Sequence, residues 1–286
     1  MNMTKVSIVI PAYNEEKIIT KVINDVKDIT KGLKEIIEII VVNDGSDDNT
    51  AEILNNLKGI KVINHNYNNG YGASLKSGIK EARGDYILIM DADGTYPTES
   101  IPSLVKHIGT YDMVIGARSS KNLNVPLLRI IPKWFLNKFA SFLVKKKIPD
   151  LNSGLRIFNK EKCLEFWKLY PERFSFTSTI TMAFLSSGYN LKYIPIDYLK
   201  RKGKSNVSPS DFYNFNNLLL KMTLLFNPIK IFSTISIFLV LVAIAIAIYS
   251  IYFTSRLMDV TVLLLMLSAL QIFLFGLIAH VVVKYK

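Results

Sequence analysis

Two uncharged runs near the C-terminus constrain this chain more than any other feature. Ile231 to Phe253 carries no charged residue over 23 positions, and Val260 to Val283 none over 24. A helix needs roughly 20 apolar residues to cross a bilayer core, so each run is long enough to span. Only Thr254 to Asp259 separates them, which leaves room for a turn and makes the pair a hairpin with both ends on one side. Lys221 and Lys230 precede the first span and Lys284 and Lys286 follow the second, against Arg256 alone in the turn. Lysine and arginine accumulate on the cytoplasmic side. The N-terminal region and the tail are therefore expected in the cytoplasm, with the hairpin in the cell membrane.

The remainder is basic in its own right. The whole chain carries 35 Lys and Arg against 23 Asp and Glu, a formal charge of +12. Removing Ile229 to Lys286, with four basic residues and one acidic, leaves 31 against 22, or +9. A basic domain tethered to a membrane suits anionic headgroups or phosphorylated substrates. No recognition helix or interleaved aromatic motif points to nucleic acid, and none is expected as a partner. Met1 to Lys5 leads straight into a strand without a signal-peptide pattern. The single cysteine, Cys163, excludes an internal disulfide and fits a reducing compartment.

Ahead of the hairpin, apolar runs alternate with amphipathic ones. Val6 to Pro11, Ile36 to Val42, Ile60 to Asn64, Ile87 to Met90 and Asp112 to Gly116 read as strands. Glu15 to Ile29, Thr50 to Leu57, Gly70 to Ala82 and Glu99 to His107 read as helices between them. That alternation predicts an α/β fold, a mostly parallel sheet with helices on both faces. One strand ends abruptly in Asp91-Ala92-Asp93-Gly94. Open α/β sheets bind ligands beyond the carboxyl ends of their strands, and paired carboxylates there suit a hard divalent cation shared with substrate phosphates. The competing reading is an Asx-turn that merely closes the strand. Asn14, Glu15 and Glu16 after the first strand and Asp44 after the second bring further polar groups to the same edge.

Four segments carry a resemblance. Pro11-Ala12-Tyr13-Asn14-Glu15-Glu16, Asn43-Asp44-Gly45-Ser46, Asn69-Gly70-Tyr71-Gly72-Ala73 and Asp91-Ala92-Asp93-Gly94 stand in the order and spacing of family 2 glycosyltransferases with a GT-A (Rossmann-like) fold. The chain resembles that family from Val6 to about Ser205. The resemblance implies an inverting enzyme that uses a nucleoside-diphosphate sugar and Mg²⁺ or Mn²⁺. By the same pattern Pro11, Tyr13, Glu15 and Asp44 line the nucleoside pocket, with Asp44 near the base and Gly72 and Ala92 in the donor site. Asp91 sits towards the ribose and diphosphate, and Asp93 on the metal with Asp91 beside it.

Gly116-Ala117-Arg118, the basic amphipathic stretch within 126–147 and Asp150-Leu151-Asn152-Ser153-Gly154-Leu155-Arg156 resemble the polyprenyl-phosphate sugar synthases, the dolichol-phosphate mannose synthase type. This implies transfer of a hexose from a GDP-mannose or UDP-glucose type donor to a polyprenyl or dolichyl phosphate. Arg118 would grip the acceptor phosphate, joined by Arg129 and Lys133 on approximate spacing. Lys200 and Lys204, in the glycine-containing loop Tyr198 to Ser205, would close over the donor diphosphate. A basic amphipathic helix of this kind lies in the membrane interface. The expected organisation is a catalytic domain over 1–210, an amphipathic juxtamembrane helix over 211–228 and the hairpin over 229–286.

The chain departs from the pattern at three places. Asn43 replaces an acid, Thr95 stands where many mannose synthases carry Gln, and Phe176-Thr177-Ser178-Thr179 lacks the glutamates of some relatives. Metal coordination then rests on Asp93, the diphosphate and water. Two other readings stay open: a transferase acting on the hydroxyl of a glycolipid or polysaccharide, and a non-catalytic membrane scaffold. Processive synthesis is disfavoured, because Gln271 is the single glutamine and no Gln-x-x-Arg-Trp motif exists. The three histidines have no metal-ligand spacing and suggest no Ser-His-Asp arrangement. The hairpin is either self-sufficient or packs with copies of itself as a homo-oligomer.

Overall fold

The computed structural model describes residues 4–119, 127–173, 175–199, 217, 220–221, 223–253 and 259–284, with 127–133 and 284 described by their backbone alone. The chain divides into two compact units, Met1–Ser141 with Lys146–Asn214 and Phe142–Lys145 with Phe215–Lys286.

The first unit begins with β1 (Val6–Ala12), α1 (Ile19–Thr30), β2 (Ile36–Asn43), α2 (Thr50–Asn56), β3 (Lys61–Asn64), α3 (Tyr71–Glu81) and β4 (Tyr86–Ile89). It continues through α4 (Ile101–Val105), β5 (Met113–Arg118), α5 (Leu127–Val144), β6 (Arg156–Asn159), α6 (Lys160–Glu165), α7 (Phe176–Ser186) and β7 (Leu191–Ile196). The strands form one seven-stranded sheet in the order β3-β2-β1-β4-β6-β5-β7. The pairs β1–β2, β1–β4, β2–β3 and β5–β7 are parallel, while β6 runs antiparallel to both β4 and β5. The mostly parallel sheet expected from the sequence is present, with one reversed strand inside it.

Burial on both faces explains why these strands are continuous apolar runs rather than alternating ones. Successive residues of a strand point to opposite faces. Ile8 and Ile10 pack with Ile19, Val22, Ile23, Leu54, Leu88 and Ile101 on one side. Val9 packs with Leu75, Ile79, Ile87, Ile89, Phe176 and Phe184 on the other. Thus α1, α2 and α4 cover one face and α3, α6 and α7 the other. The chain moves outward from β1 to β2 and β3, then returns to place β4 on the far side of β1. That reversal opens a crevice at the carboxyl ends of β1 and β4, the place where open α/β sheets bind ligands.

Two predicted elements shift. α1 starts at Ile19 instead of Glu15, because Asn14 adopts a left-handed φ of 55° and the Glu15 carbonyl accepts from the N–H groups of Ile18 and Ile19 in a turn. The helix expected over Glu99 to His107 is a 3-10 turn, Thr98–Ser100, followed by the short α4, which carries Pro102 in its first turn. Neither β6 nor β7 was foreseen. The stretches around Lys200, Lys204 and most of 211–228 lie outside the described residues.

The second unit is built on α8 (Pro228–Phe253) and α9 (Asp259–Lys284), both long and apolar enough to cross a membrane. Small residues line their contact. Ser236, Ala243 and Ser250 on α8 and Ala269 and Gly276 on α9 are buried and recur every seven positions. The Ser236 hydroxyl donates to the Ala269 carbonyl at 2.8 Å. At Gly276 a Cβ would lie 2.5 Å from the Phe232 Cβ. Close backbone approach through small residues is how helices associate where lipid removes the hydrophobic drive.

Candidate active site

A cleft of about 350 Å³ opens at the crevice described above, lined by Pro11, Ala12, Tyr13, Glu15, Asp44, Asn68, Gly70, Tyr71, Ser74, Asp91, Ala92 and Asp93. The ends of β1, β2 and β4 and the start of α3 therefore meet in one place. Of the proposed donor-site residues, seven line it: Pro11, Tyr13, Glu15, Asp44, Asp91, Ala92 and Asp93.

The loops after β1 and β2 are stitched together before any ligand arrives. Asn14 N–H donates to Ser46 Oγ at 3.0 Å and Asp47 N–H to Asn14 Oδ1 at 2.9 Å. Glu15 N–H donates to Thr50 Oγ1 at 2.9 Å. Tyr13, 41% exposed, donates its hydroxyl to Asp47 Oδ2 at 3.0 Å, and that neighbouring carboxylate raises the phenol above its usual range. Asn43 explains its own departure from an acid. Its amide donates to Asn64 while its carbonyl oxygen accepts from the Ser46 hydroxyl at 2.6 Å, a donor-and-acceptor role that a carboxylate cannot fill.

Asp44 is buried and ties three segments. Oδ2 accepts from Gly70 N–H at 2.8 Å, and Oδ1 accepts from Asn69 N–H at 3.1 Å and faces His65 Nδ1 at 2.7 Å. His65 Nε2 in turn meets Ser77 Oγ at 2.9 Å. A serine, a histidine and an aspartate are thus in line although nothing in the sequence suggested it. Ser77 sits in the second turn of α3, and the array orients Asp44 within the loop rather than exposing a nucleophile.

Gly72, expected in the donor site, is packed against protein backbone. The glycine does not line the cleft, and its N–H donates to the Arg173 carbonyl at 3.2 Å while Ala73 N–H donates to Glu172 at 2.6 Å. A Cβ at Gly72 would collide with the Pro171 carbonyl oxygen and reach the Glu172 oxygen at 2.9 Å. The first N–H groups of α3, which could have held an anion, are spent on protein carbonyls.

The two acids beyond β4 are held in different ways. Asp93 Oδ1 accepts both the backbone N–H and the hydroxyl of Thr95, at 3.1 and 2.6 Å. Thr95, fully buried, is therefore the support of Asp93. Asp91 Oδ1 accepts the Tyr71 hydroxyl at 2.9 Å. Burial pushes the Asp91 carboxyl up to about 6, and the Asp93 charge adds to that push. The Tyr71 bond and the positive charges of Arg118 and Arg156 oppose it. Two like charges crowded into a poorly hydrated edge make a donor set of hard carboxylate oxygens suited to Mg²⁺ or Mn²⁺. Among the described residues no group of three His, Cys, Asp or Glu side chains could complete a metal shell.

Arg118 leaves the end of β5 and is clamped. Its Nε and Nη2 donate to Asp150 Oδ2 and Oδ1 at 2.7 and 2.8 Å, and its guanidinium lies 5.3 Å from the centre of the Tyr198 ring. Burial pulls the guanidinium down, but Asp150 holds it above its ordinary value. Arg129 and Lys133 belong to α5 by backbone, and their side chains lie outside the described residues.

Tyr71, Gly154 and Arg156 are the residues that sequence reasoning passed over. Arg156, at the start of β6, is fully buried. Its Nη1 donates to the Thr177 carbonyl at 2.8 Å and to Thr181 Oγ1 at 2.7 Å, and its Nε to the Ser153 carbonyl at 3.0 Å. Burial depresses this guanidinium, since every acceptor is neutral. Here α7 supplies a carbonyl and a hydroxyl.

Comparison with known proteins places this geometry. The model of glycosyl transferase family 2 matches residues 7–167, and a second model, the GtrB C-terminal hairpin, matches 227–284. Together with the two apolar helices, the hairpin match describes a membrane-anchored chain. A dolichyl-phosphate hexose transferase of Haloferax volcanii is 29% identical over 205 residues, covering 71% of this chain and 86% of that protein. A bactoprenol glucosyl transferase of Shigella phage SfV is 27% identical over 241 residues, covering 82% and 76%. Among solved structures, glucosyl-3-phosphoglycerate synthase from Mycobacterium tuberculosis superposes with a TM-score of 0.60 at 17% identity, over 77% of this chain and 78% of that one, and so shares its fold. The chain belongs to glycosyl transferase family 2 and is a hexosyltransferase by its match to that family and to these named transferases.

Proposed function

We propose that the protein transfers a hexose, with inversion, from a nucleoside-diphosphate sugar to a polyprenyl or dolichyl-type phosphate at the cytoplasmic face of the cell membrane. The observation that carries this reading is the Asp91 and Asp93 pair at the end of β4, in a cleft that the ends of β1 and β2 also line. The printed activities of the Haloferax and Shigella phage relatives, a dolichyl-phosphate hexose transferase and a bactoprenol glucosyl transferase, support the acceptor class. The lysines flanking the hairpin support the cytoplasmic orientation.

Pro11, Tyr13, Glu15 and Asp44 would receive the nucleoside, with Asp91 towards the ribose and diphosphate. Asp93, with Asp91 beside it, would hold the divalent cation, whose charge would stabilise the departing diphosphate. The tuberculosis synthase with the same fold was solved with Mn²⁺ and uridine diphosphate, which supports a cation here. A phosphate acceptor is already ionised near neutral pH, so the chain needs no strong general base. Its tasks are placement and electrostatic support. Thr95 fixes Asp93, Tyr71 fixes Asp91, and Asp150 fixes Arg118, which would take the acceptor phosphate with Arg129 and Lys133. Lys200 and Lys204 would close over the diphosphate. The face of α5 that bears Trp134, Phe135 and Lys138, all exposed, would lie in the membrane interface, while Leu136 and Ala140 on its other side are buried.

The test is sugar transfer from a panel of GDP- and UDP-sugars to a short polyprenyl phosphate, with Mn²⁺ or EDTA. A lipid-linked sugar formed only with metal is the expected result and names the donor. Metal-dependent donor binding without transfer would replace the phosphate acceptor with a hydroxyl acceptor, and no binding would favour a scaffold.

A further inference from the structure

Two polar side chains of α5 fasten the segment that carries Asp150. Asn137 Nδ2 donates to the Pro149 carbonyl at 3.0 Å, and Asn137 Oδ1 accepts from Leu151 N–H at 3.3 Å. These bonds bracket Asp150, one to the residue before it and one to the residue after. Ser141 lies one turn further along the same face of α5. Its hydroxyl accepts from Ile148 N–H at 3.0 Å and donates to the Asn137 carbonyl at 2.6 Å. The side chains of Ile148 and Leu151 are buried, so 148–151 is held by apolar packing as well as by α5. Asp150, also buried, takes Nε and Nη2 of Arg118 at 2.7 and 2.8 Å and the Arg118 N–H at 3.2 Å.

A bidentate pair between guanidinium and carboxylate is fixed in direction, so the place of Asp150 decides the aim of Arg118. Asp150 is placed by its flanking backbone, and one carboxamide, donor and acceptor at once, holds that backbone on both sides. We propose that Asn137 is a positioning residue for the lipid-phosphate acceptor, setting Arg118 through Asp150 without touching substrate itself. Asn137 does not line the donor cleft, so its effect falls on the acceptor alone. Trp134 and Lys138, exposed within one turn of Asn137, belong to the face assigned above to the membrane interface. One helix thus both docks at the bilayer and aims the arginine that meets the lipid phosphate. The proposal rests on the acceptor reading of Arg118 and not on the choice of donor.

The experiment uses the full chain in phosphatidylcholine and phosphatidylglycerol vesicles, with a short polyprenyl phosphate and whichever GDP- or UDP-sugar the parent protein turns over. Asn137→Ala should raise the KM for the polyprenyl phosphate about 10-fold, the scale of two lost hydrogen bonds. Over the same change kcat and the donor KM should move less than about twofold. Ser141→Ala, which frees only the Ile148 end, should raise the lipid KM by less, and it carries the comparison if circular dichroism shows Asn137→Ala unfolded. In a background of Arg118→Ala with Asp150→Asn, Asn137→Ala should add nothing to the lipid KM. A residue acting through another loses its effect when that other is gone, whereas a merely structural loss adds in both backgrounds. An unmoved lipid KM in the folded variants, a donor KM raised alongside it, or an equal loss in both backgrounds would each overturn the proposal. The premises separate in the parent protein. If it transfers no sugar to the phosphate, the acceptor reading falls and the positioning with it. If it transfers and the variants match it, the positioning falls alone.

Discussion

Gly154 lies against the carboxylate of Asp91. A Cβ at position 154 would stand 2.7 Å from both Cγ and Oδ1 of that aspartate, while the Gly154 N–H donates to the Tyr96 hydroxyl at 2.6 Å. The floor under the acid is therefore bare backbone, fixed by a buried tyrosine, and one added methyl group has nowhere to go but into Asp91. Gly154→Ala should leave the fold intact and lower kcat about 10²-fold, the scale of a displacement near 1 Å at a reacting centre. Circular dichroism beside transfer kinetics would check it, and full activity in the alanine variant would remove Asp91 from the chemistry.

The Tyr71 hydroxyl works in the opposite direction to the burial of Asp91, since its bond favours the ionised form. Tyr71→Phe should therefore raise the acid limb of the pH–rate profile above its position in the parent protein. Transfer at pH 6 should fall further than transfer at pH 8. A hydrogen bond to a charged group is worth about 1.5–3 kcal/mol, so a shift of about one pH unit is the expected scale. An unchanged profile would show that Asp91 does not govern that limb.

A raised Asp91 also sets a sign for stability. Its ordinary value is 3.8 and its folded value about 6. The folded protein thus holds the proton more tightly than the unfolded chain. That contribution is complete below 3.8 and disappears as pH rises through 6. Added Mn²⁺ competes with the same proton and binds only the folded site, so it should raise the melting temperature more at pH 7 than at pH 5. Scanning calorimetry with and without EDTA at both pH values tests this, and an equal shift at both would exclude Asp91 from the cation site.

Arg118 and Asp150 form a bidentate pair in which Asp150 is 1% and Arg118 16% exposed. Arg118→Ala takes the bidentate guanidinium away from a buried carboxylate, and removal of one partner from such a pair costs about 3 kcal/mol. The double change Arg118→Ala with Asp150→Asn should recover most of that stability, while the KM for the lipid phosphate stays raised. Recovery of acceptor use along with stability would mean that Arg118 serves the fold alone.

The legibility of this site follows from distance along the chain. Asp91 and Asp93 stood out because a buried strand and its terminal acids are contiguous, and the sheet followed from runs of Val, Ile and Leu that any buried parallel strand requires. Asp44 was visible as a strand-end acid, but its contact with His65 spans 21 residues and is set by β2–β3 pairing. Thr95 read as a missing glutamine and proves to be a clamp on Asp93. A glycine such as Gly72 announces a close approach without saying whether a ligand or the Pro171 backbone makes it. The four residues of β6 begin with an arginine, a poor advertisement for a central strand. Its burial becomes intelligible only once the carbonyls of Ser153 and Thr177 are seen around it.

The reversed direction of β6 has a topological effect. A parallel strand delivers its outgoing loop to the ligand edge, whereas β6 delivers its incoming one, and Gly154 and Ser153 lie on that inbound segment. The edge is thus served by departures from the parallel strands β1, β2, β3, β4, β5 and β7 and by a single arrival. That arrival comes from α5, whose last residue is Val144, ten positions before Gly154. Lengthening any departing loop would alter the walls of the cleft, but a deletion in the short run from Val144 to Gly154 would pull on its floor. Natural variation among such chains should accordingly be generous in the first set of loops and nearly absent in the second.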